Sequence, residues 1–350
     1  MPPQDDQAIT QLPFRVGVVA IGRNEGQRLE RCLRSACGTG AAMVYVDSGS
    51  TDGSVEMARS LGVMVVELDM SLPFTMARAR NEGLRRLLES QPGPELVQFV
   101  DGDCELDPTW LATACGAMAE RAGLVAVCGR RLERHRSASL YHRLIDMEWD
   151  TPIGPARSCH GDVMMRVEAL QSVGGFNANM IAGEEPELCV RLRARGGKIL
   201  RVDAPMTMHD AAMTRFGQWW KRAVRCGHAN AHGAHLHAST LEPQLLKPLR
   251  SAALWGMLVP VAALAGLVAA WWIPAFAIGA ALVAIAYFAL AWRIYRWRRP
   301  RDTRGDAVLY AAFCIVAKAP ECIGIARFHL NRLRGRRSEL IEYKTAQEAQ

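Results

Sequence analysis

The sequence predicts an α/β fold: a mostly parallel sheet flanked by helices, followed by a C-terminal transmembrane helical hairpin and an interfacial helix. Two patterns point to it. Short apolar runs alternate with amphipathic stretches from residue 14 to residue 100, and residues 251 to 292 contain no Asp, Glu, Lys, Arg or His. A third observation locates function, because the polar clusters "GRNEG", "DSGSTDGS" and "DGDCE" stand at the ends of three of the apolar runs.

Taken in order, "FRVGVVAIG" (14–22) reads as a strand, "EGQRLERCLRSA" (25–36) as an amphipathic helix, "AMVYVDSGS" (42–50) as a strand and turn, and "SVEMARSLG" (54–62) as a helix that a glycine ends. "VMVVEL" (63–68) is a third strand, "FTMARARNEGLRRLLES" (74–90) a helix and "ELVQFV" (95–100) a fourth strand. This βαβαβαβ order implies a parallel sheet, and ligands of such sheets bind beyond the carboxyl ends of the strands. Residues 110–130 predict a further helix and strand, the Arg-, His-, Pro- and Gly-rich stretch through residue 162 reads as irregular, and "KILRVDAPMTMH" is another strand.

Residues 251–273 and 275–292 are each about long enough to cross a hydrocarbon core, with Pro274 at the turn between them. "KPLR" precedes the first span and "RIYRWRRPR" follows the second, which places both flanks in the cytoplasm. The following segment, 306–335, is apolar but interrupted by Lys318, Pro320 and Glu321, and is expected to lie in the interface or re-enter rather than span. The expected organisation is a polar tail (1–13), an α/β domain (14–240), the hairpin with its basic flank (241–305), and an interfacial segment with a basic tail (306–350).

Charge agrees with a membrane setting. Residues 293–350 carry thirteen Lys or Arg against six acids, an excess equal to the +7 of the whole chain. A basic excess confined to the segment after an apolar run suits anionic lipid headgroups, and no nucleic-acid motif accompanies it, so no nucleic-acid partner is expected. The ten cysteines form no C-x-x-C pair, and the polar, acidic N-terminus "MPPQDDQAITQLPFRV" shows no cleaved signal, so the α/β domain is expected in a reducing, cytoplasmic setting.

Asp101 and Asp103 close the fourth strand with Gly102 between them. Residues two apart on a strand share a face, so the pair suits one hard cation or a diphosphate, although strand-end aspartates also build turns. Asp47 ends another strand, and Asn24 and Glu25 follow the first. Glu184 and Glu185 precede Pro186 at a helix start, where negative charge is favoured in any case.

Through "AIGRNEG", "VDSGSTDGS", "ARNEGL", "VDGDCEL", "GGFN", "GEEPELCVRLRARGG" and "MHD", in that order, the sequence resembles glycosyltransferase family 2, whose fold is the Rossmann-like GT-A fold. The resemblance covers roughly residues 14 to 235, and the hairpin with the terminal "LIEYK" is similar to membrane-bound bacterial members. It implies that Asn24, Glu25 and Asp47 line the nucleotide's base and ribose, and that Arg80 approaches the base or diphosphate. Asp101 and Asp103 become the aspartate motif at the nucleotide sugar, with Asp103 a direct ligand of Mn2+ or Mg2+, and His209 completes the metal or diphosphate contact. Glu185, with Glu184 beside it, takes the place of the catalytic base. The family motif usually reads Glu-Asp there, so the longer second side chain leaves either glutamate able to reach the acceptor, and Ser48 stands where a second aspartate is common.

The chemistry asks for the same parts: a cation to neutralise the departing diphosphate and a carboxylate to take the acceptor hydroxyl's proton. The expected function is inverting, metal-dependent transfer of one sugar from a nucleotide-diphosphate sugar to a lipid-linked or saccharide acceptor. It would act at the cytoplasmic face of the inner membrane, among membrane lipids, in cell-surface polysaccharide or glycolipid synthesis. A polyprenyl-phosphate glycosyltransferase and a non-catalytic nucleotide-sugar-binding scaffold are the alternatives, and Asp162 and Asp210 are the reserve candidates for the base. In processive synthases of this family a Gln-x-x-Arg-Trp motif lies near the membrane, whereas here Gln218 precedes Trp219, Trp220, Lys221 and Arg222, out of register. His228, His232 and His235 share a helical face without a zinc motif and read as a polar stripe.

Overall fold

The computed structural model describes residues 12–37, 39–89, 92–240 and 242–342. Nearly all of the predicted N-terminal tail, the end of the basic tail and the last two residues of "LIEYK" lie outside them. Strand β1 (Val16–Gly22) leads into α1 (Gln27–Cys37), β2 (Ala42–Asp47), α2 (Ser54–Ser60), β3 (Met64–Glu67), α3 (Met76–Leu88) and β4 (Leu96–Asp101), the predicted order. There follow β5 (Cys104–Leu106), α4 (Trp110–Glu120), β6 (Leu124–Glu133), α5 (Leu140–Trp149), β7 (Gly154–Pro155), β8 (Val163–Arg166), α6 (Val167–Ser172), α7 (Glu184–Ala194) and β9 (Lys198–His209).

These strands form one sheet in the order β3-β2-β1-β4-β8-β6-β9-β5, with β7 paired to β9. The β1–β4 half is parallel, β8 runs antiparallel to β4 and β6, and β6 pairs parallel with β9. Helices cover β1, β2 and β4 on both faces, which is why their side chains are almost all buried and why they read as unbroken apolar runs. The stretch taken as irregular contains α5, whose Ser139 Oγ caps it by accepting from His142 N at 3.1 Å. Its Leu144, Ile145 and Met147 are buried, but the Arg and His residues around it mask that periodicity.

The C-terminal part is helical. α8 (Phe216–Leu236) is followed by α9 (Pro243–Ala253), a π-turn at Leu254–Leu258, α10 (Val259–Ala269), α11 (Phe276–Arg298), α12 (Arg304–Val316) and α13 (Lys318–Leu333). Three helical stretches, Pro243–Ala269, Phe276–Arg298 and Arg304–Leu333, are long and apolar enough to cross a membrane. The first two leave their apolar surface open, with Leu264, Leu267, Ile278 and Phe288 all more than half exposed, as lipid contact requires. The third is docked instead. α13 lies so close on α8 that a Cβ on Gly324 would collide with the Val224 carbonyl, and one on Gly227 with that of Glu321.

This contact carries a first test. Gly324→Val should force α13 off α8, at a cost of about 1–3 kcal/mol or more. A fall in melting temperature with faster proteolysis between residues 318 and 333 is the expected outcome, and an unchanged melting temperature would show that the helices do not depend on this approach.

Candidate active site

The site is built where β1, β4, β6 and β9 end. Gly102 N donates to Ile21 O at 2.8 Å, and a Cβ at Gly102 would stand 3.1 Å from that oxygen, so glycine lets the end of β4 close on β1. The turn at Gly102 and Asp103 breaks the strand alternation, and the two aspartates therefore point to different partners.

Asp101 faces arginines. Its Oδ1 accepts from Arg80 Nη2 at 2.8 Å and its Oδ2 from Arg131 Nη2 at 3.2 Å. Burial pushes its carboxyl upward, but Arg80 and Arg131 outweigh this and hold it below the usual carboxylate range. Arg80, buried on α3, also donates to Glu184 Oε1. Arg131 is held by Asp162, whose Oδ2 accepts from Arg131 Nε at 2.9 Å and from Thr207 Oγ1 at 2.7 Å, while Asp162 Oδ1 accepts from Asp101 N at 3.0 Å. Asp162 is thus fully engaged and wholly buried, which removes it as a reserve base. Asp210, the other reserve, pairs with Arg31 at 3.2 Å.

Asp103 faces His209. His209 is the cross-strand partner of Cys104 on β5 and of Glu133 on β6, so the sheet register brings these residues together. Asp103 Oδ2 lies 3.5 Å from His209 Nε2, and His209 Nδ1 bonds Glu133 Oε2 at 2.7 Å. Burial alone would lower the imidazole's pKa, but Asp103 and the Glu133 bond carry it upward. Asp103, Cys104 and His209 are the described residues close enough together to hold one metal ion. Burial raises the Cys104 thiol, which therefore stays protonated and points to Asp103 Oδ1 at 3.5 Å. The fit is to a hard divalent cation on carboxylate and imidazole, with Glu133 fixing the ring so that Nε2 faces the ion. Charge supports it, since the cluster sets Asp101, Asp103, Glu133, Asp162, Glu184 and Glu185 against only Arg80 and Arg131 as full cations.

The acidic pair at the start of α7 divides its work. Glu184 lines the cavity and is held by Arg80. Glu185 also borders it, but its Oε1 accepts from Cys159 N at 2.7 Å and Cys189 Sγ at 2.9 Å, and its Oε2 from His160 N at 2.8 Å. A carboxylate so engaged is a loop anchor, which shifts the case for the base from Glu185 to Glu184.

The nucleotide residues divide in the same way. Asn24 and Glu25 line a cavity of about 820 Å³. Asn24, at φ 54°, also braces the β2 turn by accepting from Thr51 N at 2.7 Å, and Glu25 pairs with Arg28 at 2.8 Å. Asp47 does not line it. Its Oδ1 accepts from Tyr45 Oη at 2.7 Å and its Oδ2 from Gly49 N and Ser50 N at 2.9 Å each, so it shapes the turn after β2. Sequence reasoning missed Arg131, Glu133, Trp149 and His160. Only Arg131 and Glu133, two apart at the end of a strand, left a readable signal.

The α/β sheet, with a carboxylate–histidine cluster beside buried arginines at its carboxyl edge, is a GT-A-like core. Residues 18–169 match the family model described as Glycosyl transferase family 2, and this match, with the relatives below, supports a glycosyltransferase family 2 protein. The glycosyltransferase AglE of Haloferax volcanii is 23% identical over 230 residues, covering 62% of this chain and 72% of AglE. A pre-mycofactocin glycosyltransferase of Mycobacterium tuberculosis is 26% identical over 245 residues, covering 66% of this chain and half of that protein's length. Among solved structures, the mannosyltransferase PcManGT of Pyrobaculum calidifontis, in complex with GDP-Man and Mn2+, superposes with a TM-score of 0.56 at 17% identity. That match covers 93% of this chain and 89% of PcManGT, and is one of fold.

Proposed function

We propose that the protein transfers one sugar, with inversion, from a nucleotide-diphosphate sugar to an acceptor at the membrane surface. The observation that carries this reading is the Asp103–His209 pair, oriented by Glu133 and set beside Arg80 and Arg131. A divalent cation held by Asp103 and His209 would supply charge neutralisation for the departing diphosphate. Arg80 and Arg131 face the same charge, and Asn24 and Glu25 border the nucleotide. Glu184, paired with Arg80, takes the acceptor hydroxyl's proton. Mn2+ in the fold neighbour's complex supports a divalent ion, and the AglE and pre-mycofactocin relatives support sugar transfer. Thermal shift of the detergent-purified protein against a panel of nucleotide sugars, with and without Mn2+, tests it. Stabilisation by one donor only when Mn2+ is present is expected, and a panel without any response would contradict the donor site.

Membrane attachment belongs to the same reading. α8 carries Lys221, Arg222, Arg225, His228 and His232, so a helix docked along it lies no deeper than the headgroups. The opposite side of 304–333 exposes Val308, Val316, Ile323 and Leu330, spaced seven or eight residues apart, as an interfacial helix would. Residues 251–292 then form a hairpin, and reporters at the N- and C-termini should both read cytoplasmic. A periplasmic C-terminal reporter would instead make 304–333 a third span.

A further inference from the structure

We propose that His160 and the indole N–H of Trp149 recognise the polar head of an amphipathic acceptor, a proposal that rests on the sugar-transfer reading. His160 lines the cavity on a left-handed backbone, φ 67°, that a non-glycine residue holds only when its surroundings impose it. Glu185 imposes it. One buried carboxylate receives the N–H of both Cys159 and His160, and thereby fixes where the imidazole points. The next residue, Gly161 at φ 112°, lies over the ion pairs, since a Cβ there would stand 3.4 Å from Arg131 Nη2 and 3.6 Å from Asp101 Oδ2.

The loop therefore presents His160 beside the reacting centre without placing it among the metal ligands. Its ring meets Trp149 edge-on, 5.9 Å between centroids, and makes no hydrogen bond among the described residues. Trp149 is itself fixed, with Arg131 4.7 Å and Arg222 5.9 Å from its ring centroid. Its Nε1 is buried and has no hydrogen-bond partner among the described residues, a cost that a bound oxygen would relieve. Two unmatched polar groups thus converge on the cavity wall. Beyond them the wall offers the apolar side chains of Leu144, Trp219 and Phe313, the last from α12, beside the charged Glu148, Arg222, Lys318 and Glu321. An acceptor with an oxygen-rich head and an apolar remainder matches both parts.

The test uses the full-length protein in detergent, a radiolabelled nucleotide-sugar panel, and a total lipid extract of the native membranes as acceptor. His160→Ala and Trp149→Phe are each expected to raise the extract concentration for half-maximal transfer about tenfold. Donor-induced thermal shift should stay at the parental value, and His160→Gln should recover part of the loss. Independently of turnover, the extract should slow diethyl pyrocarbonate modification of His160, read by mass spectrometry, and nucleotide sugar alone should not. Unchanged extract dependence in both variants, or no protection by the extract, would overturn the proposal. A parent protein without donor-induced thermal shift would overturn the sugar-transfer reading instead, and the footprint would still decide whether His160 meets the acceptor.

Discussion

Asp103→Asn is expected to cut sugar transfer about a hundredfold or more, because on the proposed reading it removes the charged ligand of the cation that would neutralise the leaving diphosphate. The neutral amide leaves His209 with Glu133 alone, and affinity for Mn2+ falls with it. The fold should survive, since the backbone bond from Asp210 N to Asp103 O, 2.9 Å, does not involve the carboxylate. Turnover measured across a Mn2+ series, beside a melting curve, checks this. Parental turnover in the variant would end the metal assignment, whereas loss of the melting transition would show that Asp103 is needed for folding.

Glu184→Gln and Glu185→Gln should fail in different ways. Glu184→Gln removes the proton acceptor, so the maximal rate should fall by roughly two orders of magnitude or more. Donor affinity should change little, because Arg80 keeps its bond to Asp101. Glu185→Gln keeps the shape but turns an N–H₂ toward the backbone N–H of either Cys159 or His160, leaving a buried donor unmatched. The expected cost is about 1–3 kcal/mol of stability, read as a lower melting temperature. A Glu185→Gln protein that melts like the parent yet transfers nothing would return the base to Glu185.

The βαβαβαβ half was legible because parallel strands buried on both faces give unbroken apolar runs with ligand-facing polar residues at their ends. α5 was not, since its buried Leu144, Ile145 and Met147 sit among charged neighbours. Asp103 and His209 could be named from motifs, but their meeting depends on β5, β6 and β9 lying side by side in a register that spacing does not encode. Asp47 and Glu185 show the complementary limit. A motif says that a carboxylate is required, while the hydrogen bonds from Gly49, Ser50, Cys159 and His160 show that these two hold loops in place. The third apolar stretch is ambiguous by composition, and its close contacts with α8 and, through Gly256 and Ala252, with the first apolar stretch give it a place.

The most direct measurement of the central claim is label transfer by the full-length protein, reconstituted with native membrane lipids and supplied with Mn2+ and each of a panel of radiolabelled nucleotide sugars. The account predicts that label from one donor enters an organic-extractable product, that EDTA stops the reaction, and that Asp103→Asn does not support it. Transfer that continues at the parental rate in EDTA, or a panel from which no sugar is moved, would contradict it.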